Sequence, residues 1–525
     1  MAGLELLFLL VAAVDSQSTT SAGQHFLLVY PENIAYYYTV PPAHAVYITA
    51  LHGDTTVHIK HTYKSDDVRT LAAGVVEHVR LDQRLELGNT EISDNVVRIF
   101  SNKDILVQSI GGKSNSVQSS LVLPSDKLGK RYIVPQLSRF TGTNHQLDNT
   151  VATERGPYRA VVINTGEANN VTLEGLGQTT ELAPYKALQI FLDPGTDLQA
   201  VSADKPVVVL LSHTCGMKED CSCEFIYTAL EPESSVPHTF LVPPFLADGA
   251  ENDSLVILTD SSSTKISTYD SDSPKLSVTG SAIFYRPGLL LTLIPESSFA
   301  SCFVIRGYEN LENFGVIVVH KAQTDGVRLG KDSLGSPDWQ QISGTDYVSA
   351  AISLAADKNV LWHSSSIMGV YHIAITTDQS VFGNQAPILS RIPDYRGCIV
   401  NPEGFEIGTE PDGWRESVAY CKNKQHELVS FPDAEFRQHL HKRISEEKGR
   451  DLQRVWIGMR LRLLSGDFYW LNKEPLTEMD WCEGEPQYEK GHCVAMNVED
   501  FGWTTEHCCM EANPVCYKEP VLLPI

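Results

Sequence analysis

Cysteine has the most distinctive chemistry of any residue type in this sequence, because its thiol can form a disulfide or bind a metal ion. Six of the eleven cysteines lie in or just before one stretch, from Trp456 to Tyr517. They are Cys421, Cys482, Cys493, Cys508, Cys509 and Cys516. Tryptophans recur in the same stretch at positions 456, 470, 481 and 503, each beside a short apolar or glycine-containing run. This density of Trp, Gly and Cys predicts a small, loop-rich unit that is held together by disulfides.

The other five cysteines lie earlier in the chain. Three of them, Cys215, Cys221 and Cys223, stand in HTCGMKEDCSC beside His213, a grouping that could hold a metal ion. In a secreted chain a local disulfide is the favoured interpretation. Because five is an odd number, one thiol must be free, paired with another chain or paired across domains. The last two are Cys302, the expected long-range partner of one of the three, and Cys398.

The first residues predict secretion. Met1 to Ser16 has the pattern of a signal peptide, with an apolar core from Leu4 to Val14, although no Lys or Arg precedes that core. Val14 and Ser16 fit the small-residue positions before a cleavage site, so we expect a mature chain that begins near Gln17. No later apolar run approaches the ~18 residues needed to span a bilayer. The sequence therefore predicts a secreted, extracellular protein in which disulfides form.

Charge and motifs argue against several classes of function. With 41 basic and 65 acidic residues, the formal net charge of −24 disfavours nucleic acid and anionic membranes as partners. There is no Gly-rich phosphate loop, no His-Glu-x-x-His and no Gly-x-Ser-x-Gly. His439 and His441 are two residues apart on a predicted helix and face different directions. WHSSS, at 362–366, lacks a nucleophile turn. We expect no enzyme activity and no bound cofactor.

From His25 to about Ile388 the pattern is that of β-strands. Runs such as AVYITAL, RAVVINT and PVVVLLSH alternate with Gly, Asn, Asp, Ser and Pro clusters at roughly ten-residue intervals, which is typical of sandwiches or barrels. An opening motif recurs as FLLVYP, YIVP and FLVP, starting at residues 26, 132 and 240. We predict three tandem β-sandwich repeats in an elongated module, spanning 17–125, 126–232 and 233–390. The last is extended by further strands and contains a polar loop or linker at 321–345. Two sequons, Asn170 and Asn252, lie between predicted strands, where a glycan could be attached.

These motifs resemble the N-terminal region of the IgGFc-binding-protein family. The resemblance depends on the FLVPP-like openings, on PVVVLLSHTCG with the cysteines that follow it, and on QSVFGNQAPI. It covers most of residues 24–390 and implies a secreted or mucus-associated protein. Nothing in these motifs transfers antibody binding to this chain.

After Cys398 the sequence changes to a mixture of helices and strands. Apolar residues at helical spacing predict two helices, one beginning near Pro411-Asp412 and one after Pro432. The apolar face of the first helix consists of Trp414, Val418 and Cys421. That of the second helix consists of Phe436, Leu440 and Ile444. ELVSF, WIGM, the alternation of Phe468 and Trp470, and CVAMNV predict strands.

Residues 394–519 resemble a C-type lectin-like domain, which is an α+β fold. The motifs are GWRESVAYC, HELVSF, WIGM, GDFYWL, WCEGEP, HCVAM, GW-x4-C and VCYK. The resemblance implies disulfides Cys421–Cys516 and Cys493–Cys508, and leaves Cys482 and Cys509 to pair with each other. The long form of the family usually has a paired cysteine about ten residues after the position of Cys398, and VNPEGFEIGTEPDGW contains none. Cys398 is then the leading candidate for an unpaired thiol that links chains into an oligomer.

Sugar-binding members of this family coordinate calcium through Glu-Pro-Asn or Gln-Pro-Asp, a Glu two residues before a Cys, and a Trp-Asn-Asp strand. Calcium takes six to eight oxygen ligands. At the matching positions this chain has Glu485-Pro486-Gln487, Gly491, and Trp503-Thr504-Thr505. We expect no working calcium site. Glu485, Gln487 and Glu489 are the weak candidates for a rearranged one.

The chain is therefore predicted to be multidomain and mostly β, with tandem sandwich repeats and a C-terminal α+β C-type lectin-like domain. The leading hypothesis is a secreted recognition or scaffold protein of mucus or innate defence. Its lectin-like domain would bind a protein or matrix ligand without calcium, through a long loop at roughly 472–500. Candidate contact residues are Tyr469, Trp481, Glu485, Gln487, Tyr488 and Phe501. One alternative is a carbohydrate-binding lectin that uses calcium at a rearranged Glu485/Gln487 site. A second is a structural matrix or mucus component that acts through the repeats.

Overall fold

The computed structural model describes most of the chain and divides it into two compact units. The described residues are 20–34, 40–114, 116–137, 141–144, 149–152, 157–193, 195–219, 222–261, 263–377, 379–446, 452–477 and 479–525. The first unit contains the residues up to Val400 together with Leu522–Ile525. The second unit is Asn401–Val521. The predicted signal peptide lies outside the described residues.

The first unit is built of short β-strands rich in β-branched residues, which suit a pleated, half-buried surface. The strands are β1 Gly23–Leu28, β2 Ala43–Ala50, β3 Thr55–His61, β4 Lys64–Leu71, β5 Val76–Leu81, β6 Ile92–Ser93, β7 Val97–Lys113, β8 Ser116–Val122, β9 Arg131–Ile133, β10 Thr141–Asn144, β11 Asn149–Ala152, β12 Tyr158–Asn164, β13 Asn169–Glu174, β14 Gln178–Leu182, β15 Ala187–Leu192, β16 Ala200–Ala203, β17 Val207–Glu219, β18 Ser222–Ala229, β19 His238–Leu241, β20 Leu255–Asp260, β21 Thr264–Thr268, β22 Lys275–Val278, β23 Gly280–Arg286, β24 Leu289–Thr292, β25 Cys302–Arg306, β26 Glu312–His320, β27 Val327–Leu329, β28 Asp332–Ser333, β29 Gln340–Gln341, β30 Tyr347–Ser353, β31 Lys358–His363, β32 Gly369–Ile375, β33 Val381–Gln385, β34 Ile388–Ser390 and β35 Ile399–Asn401. Short 3-10 helices lie at Gln83–Leu85, Ser125–Lys127, Pro244–Leu246, Glu251–Asp253, Glu296–Ser298 and Lys321–Gly326.

These strands form four sheet groups. The first is one seven-stranded sheet in which the long strand β7 pairs with β1, β2, β3 and β8. The second has sheets β18-β17-β12-β15-β6 and β14-β13-β16-β9. The third has β21-β20-β23-β24 and the pair β19-β22. The fourth has β28-β27-β31-β25-β34 and β29-β30-β26-β32-β33. The strands predicted to extend the third repeat therefore form two five-stranded sheets of their own.

The segment 321–345, predicted to be a loop or linker, contributes three short strands to the fourth sheet group. Val327 and Ile342 from this segment are buried in hydrophobic cores. The prediction was wrong because these two apolar residues are isolated among polar neighbours and give no periodic signal. The predicted repeat boundaries at 125 and 232 remain predictions.

Four edge strands, β8, β18, β24 and β33, meet in a ring at the centre of the first unit, and we call them the central strands. Each is the second strand of a β-hairpin in its own sheet group. In the ring, β8 contacts β18 and β33, and β24 contacts the same two strands. Side-chain hydrogen bonds join the four neighbouring pairs. They are Ser116 Oγ with Phe225 N at 2.9 Å, Thr228 Oγ1 with Thr292 Oγ1 at 2.9 Å, Gln385 Nε2 to Thr292 O at 3.2 Å, and Asn384 Nδ2 to Ser119 Oγ at 2.6 Å. Because the fourth group contacts the first, the groups do not extend in a row as predicted.

The disulfides of the first unit differ from the prediction. Cys302 on β25 is bonded to Cys398, with their Cα atoms 5.5 Å apart. Cys398 is therefore not the unpaired thiol, and Cys302 does not pair with the 215–223 cluster. The physical reason is that the chain after β34 returns to pack beside β25, where both cysteines are buried with Val304 and Leu389. Cys215 is also disulfide-bonded, and the prediction that its bond is local remains a prediction.

The second unit has two helices beside a mainly antiparallel sheet, in which β38 and β42 pair in parallel. The helices are α1 Trp414–Asn423 and α2 Ala434–Glu446. The strands are β36 Gly404–Ile407, β37 Glu427–Leu428, β38 Arg454–Leu461, β39 Phe468–Trp470, β40 Cys493–Asn497, β41 Trp503–Glu506 and β42 Asn513–Lys518, and β43 Val521–Leu522 follows. As predicted, α2 buries Phe436, Leu440 and Ile444 against this sheet. Trp456, Trp470 and Trp503 are completely buried.

Two of the three disulfides implied for this unit are present. Cys421 on α1 is bonded to Cys516 on β42, and Cys493 on β40 is bonded to Cys508. Cys482 and Cys509 are free thiols, so their expected bond is absent. Cys482 packs against Gly502, where a Cβ atom would lie 2.4 Å from its Sγ atom, whereas Cys509 is exposed. Their different surroundings explain why pairing the two remaining cysteines by elimination was wrong.

Within the described residues, no helix combines the length and apolar character that crossing a bilayer would require.

Candidate functional site

The candidate site predicted from the sequence belongs to the long loop between β39 and β40. This loop is anchored at its ends by strands whose side chains form the core, and at its middle by a bridge between Trp481 and Trp503. Trp481 is half-buried, and its ring lies 6.0 Å from that of Trp503. Trp481 therefore serves first to attach the loop to the core.

Glu485, predicted as a ligand-contact residue and a weak calcium candidate, is the centre of a compact hydrogen-bond network. Its side chain is only 4% exposed. Oε2 accepts hydrogen bonds from Gln487 N at 3.0 Å and from Thr505 N at 3.1 Å. The Thr505 hydroxyl also donates to Oε2. On the other side of the carboxylate, Lys490 Nζ lies 3.1 Å from Oε1.

These donors decide the charge state of Glu485. Burial alone would raise the pKa of its carboxyl group, because a buried charge loses its hydration. The hydrogen bonds from Thr505, Lys490 and Gln487 N outweigh burial and hold the pKa below its usual value of 4.5. Glu485 is therefore an ionised carboxylate whose charge is balanced by a lysine of the same loop.

A calcium ion does not fit this site. At Gly491, where calcium-binding relatives would place a glutamate, a Cβ atom would lie 2.0 Å from Glu506 O, so the backbone leaves no room for a side chain. Thr505 points its hydroxyl at Glu485 as a donor, and Lys490 occupies the other carboxylate oxygen. Calcium needs several free carboxylate or carbonyl oxygens. In the described part of the chain, no three His, Cys, Asp or Glu side chains converge as metal ligands.

An aromatic cluster lies on the same loop. Phe468 on β39 lies 4.8 Å from Trp481 and 6.1 Å from Tyr488, measured between ring centroids. Tyr488 is 55% exposed, whereas the other two rings are half-buried. We call Phe468, Trp481 and Tyr488 the aromatic cluster. Since Tyr488 lies between Gln487 and Lys490 in sequence, the cluster and the Glu485 network belong to one stretch of loop.

The other predicted contact residues are less central. Gln487 and Glu489 are exposed. Tyr469 is half-buried under the guanidinium of Arg462, 4.8 Å from its ring centroid. Phe501 stacks on His441 of α2 at 4.0 Å, and so packs against a helix. Burial and the nearby Arg437 lower the pKa of His441 to about 4.

Sequence reasoning missed three residues that the structure brings into the site, namely Phe468, Lys490 and Thr505. Thr505 was noticed only as the loss of a calcium ligand, although a hydroxyl beside a buried carboxylate is a natural donor. The signal for Lys490 was its position five residues after Glu485, within reach of the carboxylate across a turn. Without calcium, the charge of Glu485 needs another neutralising group, and Lys490 is the nearby residue that can supply it.

The WHSSS segment and the two sequons, which were singled out in the sequence, lie outside this loop. His363 of WHSSS lies with Nε2 2.7 Å from Gln323 O, and its Nδ1 accepts a hydrogen bond from Ser366 N at 2.9 Å, so it braces a turn. Asn170 and Asn252 are both exposed. Glycosylation at these two positions remains a prediction.

Both parts of the chain match known protein families. Residues 410–518 match the C-type lectin domain family, and residues 118–288 match the IgGFc binding protein family. The C-terminal unit is thus a C-type lectin domain, and the chain combines it with an IgGFc-binding region, as the sequence motifs indicated.

Individual relatives match only segments. C-type mannose receptor 2 of Rattus norvegicus is 30% identical over 105 residues, which are 20% of this chain and 7% of the receptor. IgGFc-binding protein of Homo sapiens is 22% identical over 326 residues, which are 54% of this chain and 6% of that protein. The chain thus spans less than a tenth of these relatives. Among solved structures, the cow C-type carbohydrate-recognition domain of CD23 is 27% identical, with 22% of this chain and 87% of that one covered and a TM-score of 0.20.

Proposed function

We propose that this chain, which joins an IgGFc-binding region to a C-type lectin domain, is a secreted extracellular recognition protein. In this proposal the lectin domain binds a protein or matrix ligand without calcium, through the loop at 472–500. The disulfides support an extracellular location, since such bonds persist in oxidising compartments. The matched families are of non-enzymatic kinds, and we propose no catalytic role.

The observation that carries the proposal is the pairing of Glu485 with Lys490. A sugar-binding calcium ion would need the Glu485 carboxylate as a ligand, and this carboxylate already accepts hydrogen bonds on both oxygens. A calcium ion that took the place of the Lys490 ammonium group would also need further ligands, and Gly491 has no side chain to supply one. The loop is therefore held in place by internal donors, so its shape does not depend on a metal.

The chemistry of the exposed surface favours a protein ligand. Tyr488 of the aromatic cluster is of the residue type that often anchors protein interfaces. The turn between β38 and β39 also exposes Leu463 and Leu464 side by side. Exposed apolar groups of this kind are typical of protein-binding surfaces.

The test is binding of the full-length protein to immobilised mucin and to the same mucin after chemical deglycosylation, in millimolar calcium and in EGTA. We expect equal binding in all four conditions. Tyr488→Ser should weaken binding by roughly 5- to 30-fold, since loss of an anchor costs about 1–2 kcal/mol. Tyr63→Ser is the matched control, because Tyr63 is an exposed tyrosine of the first unit.

Binding that disappears in EGTA or after deglycosylation would contradict the proposal and support the carbohydrate-binding alternative. Binding that is unchanged in Tyr488→Ser would move the ligand surface away from this loop. In that case the repeats of the first unit would be the next region to test, as a structural matrix component would require.

A further inference from the structure

A small cavity of about 30 Å³ lies inside the ring of central strands. All four central strands contribute residues to its wall, so closure of the ring forms the cavity. Its volume is sufficient for one or two groups of the size of a water molecule. The wall residues that carry a side-chain oxygen are Ser119, Ser120, Tyr227, Thr228, Glu231, Thr292, Asn384 and Gln385. No Lys, Arg or His is among the described residues that line it.

Hydrogen bonds bring several of these oxygens close together. Thr228 Oγ1 lies 2.9 Å from Thr292 Oγ1, which itself donates to Ala229 O at 2.9 Å. Because a hydroxyl has one proton, Thr228 is the donor to Thr292, and both oxygens keep a free lone pair. Gln385 Nε2 donates to Thr292 O at 3.2 Å, and Gln385 is also hydrogen-bonded to Glu231. The groups that remain available around the cavity are therefore acceptors, which suit a cation.

Asn384 on β33 adds an acceptor that has no partner. Its Nδ2 donates to Ser119 Oγ at 2.6 Å, whereas its Oδ1 is buried without a hydrogen bond. The residue is only 7% exposed. Because a buried carbonyl oxygen without a partner is destabilising, Asn384 indicates that the cavity holds a ligand that attracts oxygen.

Glu231 is the acidic residue on the wall, and it lacks a counter-charge. Lys127 and His238 line a larger cavity that Glu231 also borders, and neither forms an ion pair with it. Burial raises the pKa of the Glu231 carboxyl group, because its charge loses hydration, and the hydrogen bond with Gln385 offsets this only in part. A buried carboxylate of this kind needs a positive partner.

The single carboxylate decides the charge of the ion that fits. Calcium sites gather several carboxylates, whereas the described wall of this cavity has one. A divalent ion would leave an unbalanced positive charge in a buried site, which is unfavourable. A monovalent ion balances Glu231, and the neutral oxygens complete its coordination.

We propose that this cavity binds an alkali cation, sodium or potassium. The ion contacts the carboxylate of Glu231 and the side-chain oxygens of Thr228, Thr292 and Asn384. These ligands belong to three sheet groups, so the bound ion stabilises the closed ring. The lectin loop contributes none of them, so this site is separate from the function proposed above.

The test is hydrogen exchange of the full-length protein, followed by mass spectrometry, in NaCl, KCl or N-methyl-D-glucamine chloride at equal ionic strength. Peptides from the central strands should exchange more slowly in NaCl or KCl, because an ion that binds only the closed ring lowers the population of the open ring. Once the ion concentration exceeds Kd, a tenfold increase should slow these amides by up to about tenfold. Peptides from 401–521 should exchange equally in all three salts.

Two variants test the location of the ion. Glu231→Gln removes the charge and keeps the size of the side chain, so the central strands should exchange equally in all three salts. In N-methyl-D-glucamine chloride this variant should exchange no faster than wild type, since a neutral amide is easier to bury than a carboxylate. Thr228→Val removes one ligand oxygen and should raise the ion concentration for half-maximal slowing by roughly fivefold. The control is Glu181→Gln, which changes an exposed carboxylate that does not line the cavity.

Three results would overturn the proposal. Equal exchange of the wild type in the three salts would show that the cavity holds water alone. Slowing by NaCl that persists in Glu231→Gln would show that the ion acts elsewhere. Slowing by millimolar CaCl₂, with no effect of NaCl or KCl, would show that the ion is divalent.

Discussion

At the residue scale, Glu485 shows how hydrogen-bond donors of the protein itself can hold a buried carboxylate in its ionised form. Its oxygens accept hydrogen bonds from Thr505, from the backbone at Gln487 and from Lys490. The sequence showed that three of the positions that supply calcium ligands in sugar-binding family members differ in type here, and the absence of a calcium site remains a prediction. It did not predict the replacement network, because the donors come from separate parts of the chain that only the fold brings together.

This network predicts a pH-dependent contribution to stability. The pKa of Glu485 is lower in the folded state than its ordinary value of 4.5. Its ionised form therefore stabilises the fold above about pH 4.5, and the contribution is lost as pH falls through the folded pKa. Glu485→Gln should lower the free energy of unfolding by roughly 1.5–3 kcal/mol at pH 7, since hydrogen bonds to a charged group are lost. The difference from wild type should shrink as pH falls below about 4.5.

Tryptophan fluorescence during guanidinium unfolding measures this effect, because five of the seven tryptophans lie in the second unit. Glu483→Gln is the control, as it changes an exposed carboxylate of the same loop. A Glu485→Gln variant as stable as wild type at pH 7 would show that the network contributes no stability.

At the element scale, the two helices and the main strands of the lectin domain were predictable from periodicity. Phe436, Leu440 and Ile444 recur at helical spacing, and all three are buried on α2. The cysteine pairs outside the lectin domain were not predictable. Cys302 and Cys398 are 96 residues apart and meet only because the chain returns to β25 after β34. Local sequence contains no information on such a return.

The Cys302–Cys398 bond should stabilise the fourth sheet group. Removing it by Cys302→Ser with Cys398→Ser should cost about 2–4 kcal/mol, since the bond closes a long loop in the unfolded chain. Hydrogen exchange followed by mass spectrometry should then show faster exchange in peptides from β25 and β31. The matched control is Cys421→Ser with Cys516→Ser, which removes a bond of nearly equal separation, 95 residues, from the second unit. Its effect should stay within 401–521, and identical exchange maps for the two double variants would contradict this assignment.

At the scale of the whole molecule, the first unit is a closed ring of sheet groups. The sequence motifs identified the opening motifs of the first three sheet groups. The fourth group was predicted to be an extension of the third repeat, because its opening segment, SCFVIRG, lacks the proline of the others. A second repeated signal follows each central strand, in VLPSDK, LEPESS, LIPESS and QAPILS. Because this signal occurs four times, alignment of the four closing segments would have predicted four groups.

Ring closure predicts that distant parts of the first unit respond together. Asn384→Ala in β33 removes the donor to Ser119 in β8, residues that are 265 positions apart. Loss of a buried hydrogen bond of about 1 kcal/mol should speed amide exchange in 116–122 roughly fivefold. Gln340→Ala, on an exposed edge strand of the same sheet, is the control and should leave these amides unchanged. Unchanged exchange in 116–122 for Asn384→Ala would show that this bond does not couple the two groups.

The path of the chain between the two units has a consequence for proteolysis. The chain leaves the first unit at Val400 and returns to it at Leu522, and Leu523 N donates to Cys398 O at 2.9 Å. The Val400–Asn401 peptide bond therefore joins the lectin domain to the first unit, whereas Leu522–Ile525 pack back onto that unit without a covalent bond to it. A protease that cuts the chain near Val400 would leave the lectin domain held only by the noncovalent contacts of Leu522–Ile525, so a single cut there makes its release possible.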